Sequence, residues 1–180
     1  MPVGLRLSLA AMEALGVEQR AGAGELVALV EIDADHCATC FADGVQVATG
    51  CTFGKGNIQK LHYGKWGLTL IDRRQNKAVR VVPRAEVMAE NKKTEFIAKR
   101  KAGVTPTIIP DDISQPLVKR VMAMPDEQLY KIGEVFDYTW EPARHTFDSV
   151  VCDECGEMVV ERNAHSQDGR VLCIPCAGLV

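Results

Sequence analysis

Aromatic residues are scarce in this 180-residue chain, with Phe, Tyr and Trp together making up 6% of it. No apolar run approaches the roughly 18–20 residues that a membrane-spanning helix needs, so no span is expected. The N-terminal stretch is mildly apolar, but Arg6 and Glu13 interrupt it and no cleavage site follows, so it does not read as a signal peptide. A strong charge of one sign is missing too: 21 Lys and Arg face 24 Asp and Glu, a net charge of −3. The chain is not a polycation seeking nucleic acid, and nucleic acid is not expected as a partner. There is no dinucleotide fingerprint, no phosphate-binding P-loop, no iron–sulfur spacing and no internal repeat.

What the chain does have is cysteine, seven in all. Cys152, Cys155, Cys173 and Cys176 form two Cys-x-x-Cys pairs with seventeen residues between them. Each pair fits a tight knuckle that aims two sulfurs at one point, and four such sulfurs make a closed tetrahedral site for one structural zinc ion. Two disulfides or a redox-active pair are the alternatives, though two matched pairs favour one shared metal. A chain with no export signal favours metal, and its cysteine usage suits a reducing, cytoplasmic setting. The tail around these cysteines offers little apolar material, so thiolate–metal bonds are expected to supply most of its folding energy.

Hydrophobic residues make up 47% of the chain, ample for a core. Pro2–Leu15 reads as a helix, with Leu5, Leu9 and Met12 on one stripe, and Leu26–Ile32 as a buried strand. His36–Thr49 reads as a second helix closed by Gly50, and residues 51–57 as a Gly-rich loop. Strands are expected at Trp66–Asp72 and Ala78–Val82 about a turn at Arg73–Lys77. Further helices are expected at Glu86–Lys101, Ser114–Met122 and Asp126–Phe136. The class is α+β, with a core domain over 1–148 and a metal-binding unit over 149–180. Lys60–Lys101 carries 12 basic against 4 acidic residues, which suits either a basic face or an ordinary solvated hairpin and helix.

The other three cysteines fall between His36 and Asn57, in HCATCFADGVQVATGCTFGKGN. A helix start beside Cys37 and Cys40 would favour thiolate. Cys51 enters a Gly-rich turn where the amides of Gly54 to Gly56, with Lys55 and Asn57, could cradle an anion. Three buried cysteines packing as small hydrophobes are the alternative. His36, beside Cys37, is a candidate ligand through its neutral imidazole.

The run CFADGVQVATGCTFGKGN resembles the signature of the FmdE family of formylmethanofuran dehydrogenase proteins. The matching positions are Cys40, Asp43 and Gln46, then Gly50, Cys51, Thr52, Gly54, Lys55, Gly56 and Asn57. The C-terminal CDECGEMVVERNAHSQDGRVLCIPC resembles a treble-clef zinc finger of the DksA/TraR type. The resemblance implies a thioredoxin-like core, a mixed sheet flanked by helices, followed by the finger. It implies a metal-binding protein associated with a molybdenum- or tungsten-dependent oxidoreductase of one-carbon, methanogenesis-related metabolism, as a component or accessory. The partner would be that oxidoreductase complex or a second copy of the chain. Any local chemistry would fall to Cys51 as ligand or nucleophile and Cys40 as second thiolate. Asp43 would orient, and Lys55, Gly54, Gly56 and Asn57 would contact a bound anion. Cys40, Cys51 and His36 make a candidate second metal site. Family members carry a His-Gly-His-x-Cys-Pro motif before the first helix, whereas this sequence opens at residues resembling those that follow it, so fewer core ligands are expected. The competing expectation is a zinc-finger interaction or regulatory module that docks on a protein without catalysis.

Overall fold

The computed structural model describes residues 1–22, 24–33, 39–141 and 147–179. The chain divides into two compact units, Met1–Trp140 and Glu141–Val180. The first unit is α+β. It begins with helix α1 (Pro2–Ala14), strand β1 (Leu26–Val30), helix α2 (Cys40–Thr49) and strand β2 (Ile58–Lys60). Strands β3 (Leu68–Asp72) and β4 (Lys77–Pro83) form a hairpin, followed by α3 (Ala85–Asn91), α4 (Glu95–Lys101), α5 (Asp111–Ala123) and the single turn α6 (Asp126–Leu129). Strands β5 (Tyr130–Ile132) and β6 (Phe136–Asp137) complete the unit. The sheet order is β2-β1-β3-β4-β5, with β6 also on β4. Strands β1 and β2 pair in parallel, with α2 as the crossover between them, and the other described pairings are antiparallel. The expected mixed sheet flanked by helices is therefore present.

All five residues of β1 are buried because both faces of the sheet are covered. Leu26, Ala28 and Val30 face the side packed by Leu7, Ala11, Phe41 and Val45 from α1 and α2. Val27 and Leu29 face the other side with Ile71 and Ala78, covered by Leu61, Tyr138 and Trp140. Two glycines let α1 and α2 meet backbone to backbone. A Cβ on Gly4 would lie 2.2 Å from the Phe41 carbonyl oxygen, and one on Gly44 2.2 Å from that of Met1.

The fold departs from the expectations in four places. The helix expected over Glu86–Lys101 is two helices, because Thr94 donates to the Asn91 carbonyl at 2.7 Å and caps α4 by accepting from the Ile97 amide. The Asp126–Phe136 helix stops at Leu129. Tyr130–Ile132 instead pairs with Val81–Pro83 of β4, and Gly133 then donates to the Arg80 carbonyl at 2.8 Å. The short strand β2 has no counterpart in the sequence reading, since three residues carry no periodic signal. The helix expected from His36 begins at Cys40, and residues 34–38, including His36 and Cys37, lie outside the described residues. Among the described residues no helix is long and apolar enough to cross a membrane.

The second unit holds two small hairpins. Strands β7 (Ser149–Val151) and β8 (Met158–Val160) pair antiparallel, as do β9 (His165–Gln167) and β10 (Arg170–Leu172). Asp168 and Gly169, with φ of 52° and 76°, make the tight turn between β9 and β10, the two-residue geometry that matches strand twist.

Candidate metal centre and the signature segment

Each cysteine pair of the second unit follows or closes a hairpin. The Cys152–Cys155 knuckle links β7 to β8: Gly156, with φ of 73°, donates its amide to the Cys152 carbonyl at 2.9 Å, and the Cys152 amide donates to the Glu157 carbonyl. Cys173 and Cys176 follow β10, and the Ala177 amide returns to the Cys173 carbonyl at 2.9 Å. Asp153 joins the halves. Its amide donates to the Val171 carbonyl, and its carboxylate accepts from the Val171 amide at 2.7 Å. Arg170 and Glu154 add an ion pair.

The four Sγ atoms lie within 4.8 Å of one another, and those of Cys155 and Cys173 are 3.9 Å apart. Tetrahedral Zn–S bonds of ~2.3 Å require S···S separations near ~3.8 Å, so the four sulfurs need only close in slightly around one ion. The electrostatics lead to the same place. Backbone N–H groups of Cys155 and Cys173 pull the Cys152 thiol down to about 6. The Cys173 thiol and burial push Cys176 up to about 12. One thiolate is stabilised, the next is opposed by its neighbours, and a central cation removes that opposition. Among the described residues this is the one group of three or more Cys, His, Asp or Glu side chains close enough to hold a metal.

Of the core cysteines, Cys40 and Cys51 are not brought together. Cys40 opens α2 and Cys51 follows its end, and ten helical residues span roughly 15 Å, too far for one ion. Cys51 is fully buried, its Sγ 3.4 Å from the Leu26 carbonyl, and burial pushes its thiol up. That environment suits an inert packed thiol better than a nucleophile. Cys40 and Asp43 are exposed on the first turn of α2.

The glycine-rich turn uses its own donors. The amides of Lys55 and Gly56 bond the carbonyls of Thr52 and Phe53. Lys55 Nζ donates to the carbonyls of Ala21 and Gly50, at 3.0 and 2.9 Å. Asn57 is buried, with Nδ2 on the Leu26 carbonyl at 3.0 Å and Oδ1 accepting from the Thr52 amide at 2.8 Å. Its carbonyl takes the Ala28 amide. In this chain the segment ties the end of α2 to the start of β1, and of the expected anion cradle the Gly56 amide and the Asn57 side chain are engaged by the protein itself.

Two pairs escaped the sequence. Glu31 is buried and accepts from Arg80 Nε and Nη2 at 2.6 and 2.7 Å. The signal was a carboxylate ending an otherwise apolar strand. His62 Nδ1 lies 3.0 Å from Asp33, on a residue with φ of 56°, and nothing in the sequence pointed to it.

Fold and site together define a two-unit α+β protein whose C-terminal unit presents a four-cysteine centre able to hold a metal ion. The family model described as "FmdE, Molybdenum formylmethanofuran dehydrogenase operon" matches residues 1–131, and the chain belongs to that family. A probable S-adenosyl-L-methionine-binding protein of Archaeoglobus fulgidus is 34% identical over 188 aligned positions, covering 98% of this chain and 48% of the relative. The chain thus spans about half the length of that curated relative. The crystal structure of an FmdE-like protein of the tungsten formylmethanofuran dehydrogenase type, from Syntrophus aciditrophicus, shares the fold. Its TM-score is 0.60 at 21% identity, over 99% of this chain and 84% of that one.

Proposed function

We propose that this chain is a zinc-carrying accessory component of a molybdenum- or tungsten-dependent one-carbon oxidoreductase, acting by protein docking rather than by catalysis of its own. The observation that carries this is the convergence of the four sulfurs of Cys152, Cys155, Cys173 and Cys176. Four thiolates complete the coordination of zinc and leave no position for substrate, so the ion's role is to fold the unit that meets the partner. Zinc is the metal such a donor set favours, and a reducing, cytoplasmic compartment keeps the thiols available. The separation of Cys40 from Cys51, and the burial of the latter, speak for binding over chemistry.

Metal analysis of the purified full chain tests this. One zinc per chain is expected, lost in Cys152→Ser and retained in Cys51→Ser. A second metal that leaves with Cys51→Ser would replace the docking role with a core metal site. A second ligand is favoured by the similarity over 98% of this chain to the Archaeoglobus fulgidus protein, namely S-adenosyl-L-methionine. Calorimetric titration of the full chain with that compound decides it, saturable binding at one site supporting it and no heat dismissing it.

A further inference from the structure

The Glu31–Arg80 pair is built as a support. Glu31 follows β1 and Arg80 sits on β4, with β3 between them. Strands two apart are roughly 9–10 Å from each other, so the pair must pass over the intervening chain. Gly67 stands at that crossing, its carbonyl accepting the Glu31 amide at 2.9 Å. A Cβ there would lie 2.3 Å from Glu31 Oε2. The absent side chain is what lets a buried carboxylate grip a guanidinium in two-point geometry.

The gripped group is not itself sealed in. The Arg80 side chain is 42% exposed, whereas that of Glu31 is 5% exposed. Arg80 lines a cleft of about 330 Å³ with Lys65, Trp66, Val82, Pro83 and Met88. Trp66 is fixed edge-to-face on Phe41, with ring centroids 6.1 Å apart. Among the described residues the lining carries two cations, an aromatic wall and apolar sides, and no carboxylate. A larger groove of about 790 Å³ beside α1 and β5 mixes Glu13, Asp126 and Glu127 with Arg84 and Lys131, and so selects no sign of charge.

We propose that the smaller cleft binds a flat ring carrying an oxyanion, with the ring against Trp66 and the phosphate or carboxylate on Arg80, assisted by Lys65. Glu31 is then a positioning residue that holds the arginine fork in place. An arginine offers five N–H bonds in a rigid fork, and Glu31 occupies two of them. This site is independent of the zinc-dependent docking role, so either can fail without the other.

The test is nuclear magnetic resonance of the ¹⁵N-labelled full chain, zinc-loaded, following the indole N–H of Trp66. Adenosine 5′-monophosphate and anthranilate are the ringed oxyanions. Adenosine and inorganic phosphate are the controls. At least one ringed oxyanion is expected to shift the Trp66 signal saturably while leaving Trp140 unmoved. Adenosine and phosphate should bind at least roughly tenfold more weakly. Met88→Trp, which fills the cleft from α3 and leaves the ion pair intact, should abolish the shift. The double variant Glu31→Gln with Arg80→Gln, which leaves no carboxylate buried alone, should weaken binding at least roughly tenfold with unchanged circular dichroism. The site is refuted if neither oxyanion saturates below about 10 mM, if adenosine matches its monophosphate, or if Met88→Trp binds as well as the parent.

Discussion

A single carboxylate in the wrong company is the most telling residue in the core. Glu31 follows five buried apolar residues of β1 and is itself buried, a position where a charge is tolerated only with a partner. Arg80 supplies it, and Gly67 leaves room for it. Gly67→Ala is therefore expected to destabilise the chain by about 2–4 kcal/mol, since the added methyl displaces the carboxylate and breaks a pair whose loss strands a buried charge. Urea unfolding monitored by circular dichroism measures it. A change below about 0.5 kcal/mol, the range of an ordinary surface substitution, would show that the pair carries no such weight. At this scale the sequence was legible where chemistry is local and silent where it is not. The four finger cysteines could be read from spacing alone. Glu31 and Arg80 are forty-nine positions apart, and no periodicity links them. Cys51 shows the opposite failure: its type suggested reactivity, and only the fold reveals that its sulfur faces the Leu26 carbonyl in a sealed interior.

Elements were legible in proportion to their length and periodicity. Helix α1, the run of β1 and the β3–β4 hairpin lie close to where the pattern put them. The expected Leu5–Leu9–Met12 stripe does not hold: Leu9 is 48% exposed, and Val3, Leu7 and Ala11 with Met12 form the buried side. The segment after Leu129 does not, because Tyr130–Ile132 gains more by pairing with β4 than by extending one helical turn, a tertiary preference that overrides local propensity. The same lesson applies to the α1–α2 contact, which no hydrophobic pattern announces. It rests on two glycines rather than on large side chains. A Cβ on Gly44 would meet two backbone atoms of α1 and its N-terminal flank, the Met1 oxygen at 2.2 Å and the Leu5 nitrogen at 2.7 Å. Backbone cannot rotate away as a side chain can, so the helices must separate. Gly44→Ala should cost about 2–3 kcal/mol, the range for overpacking a filled interior, despite the better helix propensity of alanine. Val47→Ala on the exposed face of the same helix is the control, expected within about 0.5 kcal/mol. Equal stability of the two variants, measured by thermal melts, would contradict the close approach.

Over the molecule, the two units rest on different physics. The core unit buries a continuous set of side chains from α1, α2 and the sheet, Leu7, Phe41, Leu68 and Leu70 among them. In the second unit Cys152 and Leu172 are the buried hydrophobic residues among those described, and its four hairpin strands are three residues each. Two such residues fall far short of offsetting roughly 1–2 kcal/mol of backbone entropy for each ordered position. A metal held by the four cysteines would make up the difference, as it does in small domains that are unfolded without it. On the proposed reading, treatment with a strong metal chelator under reducing conditions is therefore expected to release the amides of β7 to β10 to free hydrogen exchange while those of β1, β3 and β4 stay protected. Cys176→Ser should produce the same pattern without chelator. If the sheet amides of the core lose protection at the same chelator concentration, the units fold as one and the bound metal stabilises the whole chain. If the finger amides stay protected without metal, hydrogen bonds such as the paired contacts between Asp153 and Val171 suffice to hold the unit, and no metal is needed to fold it.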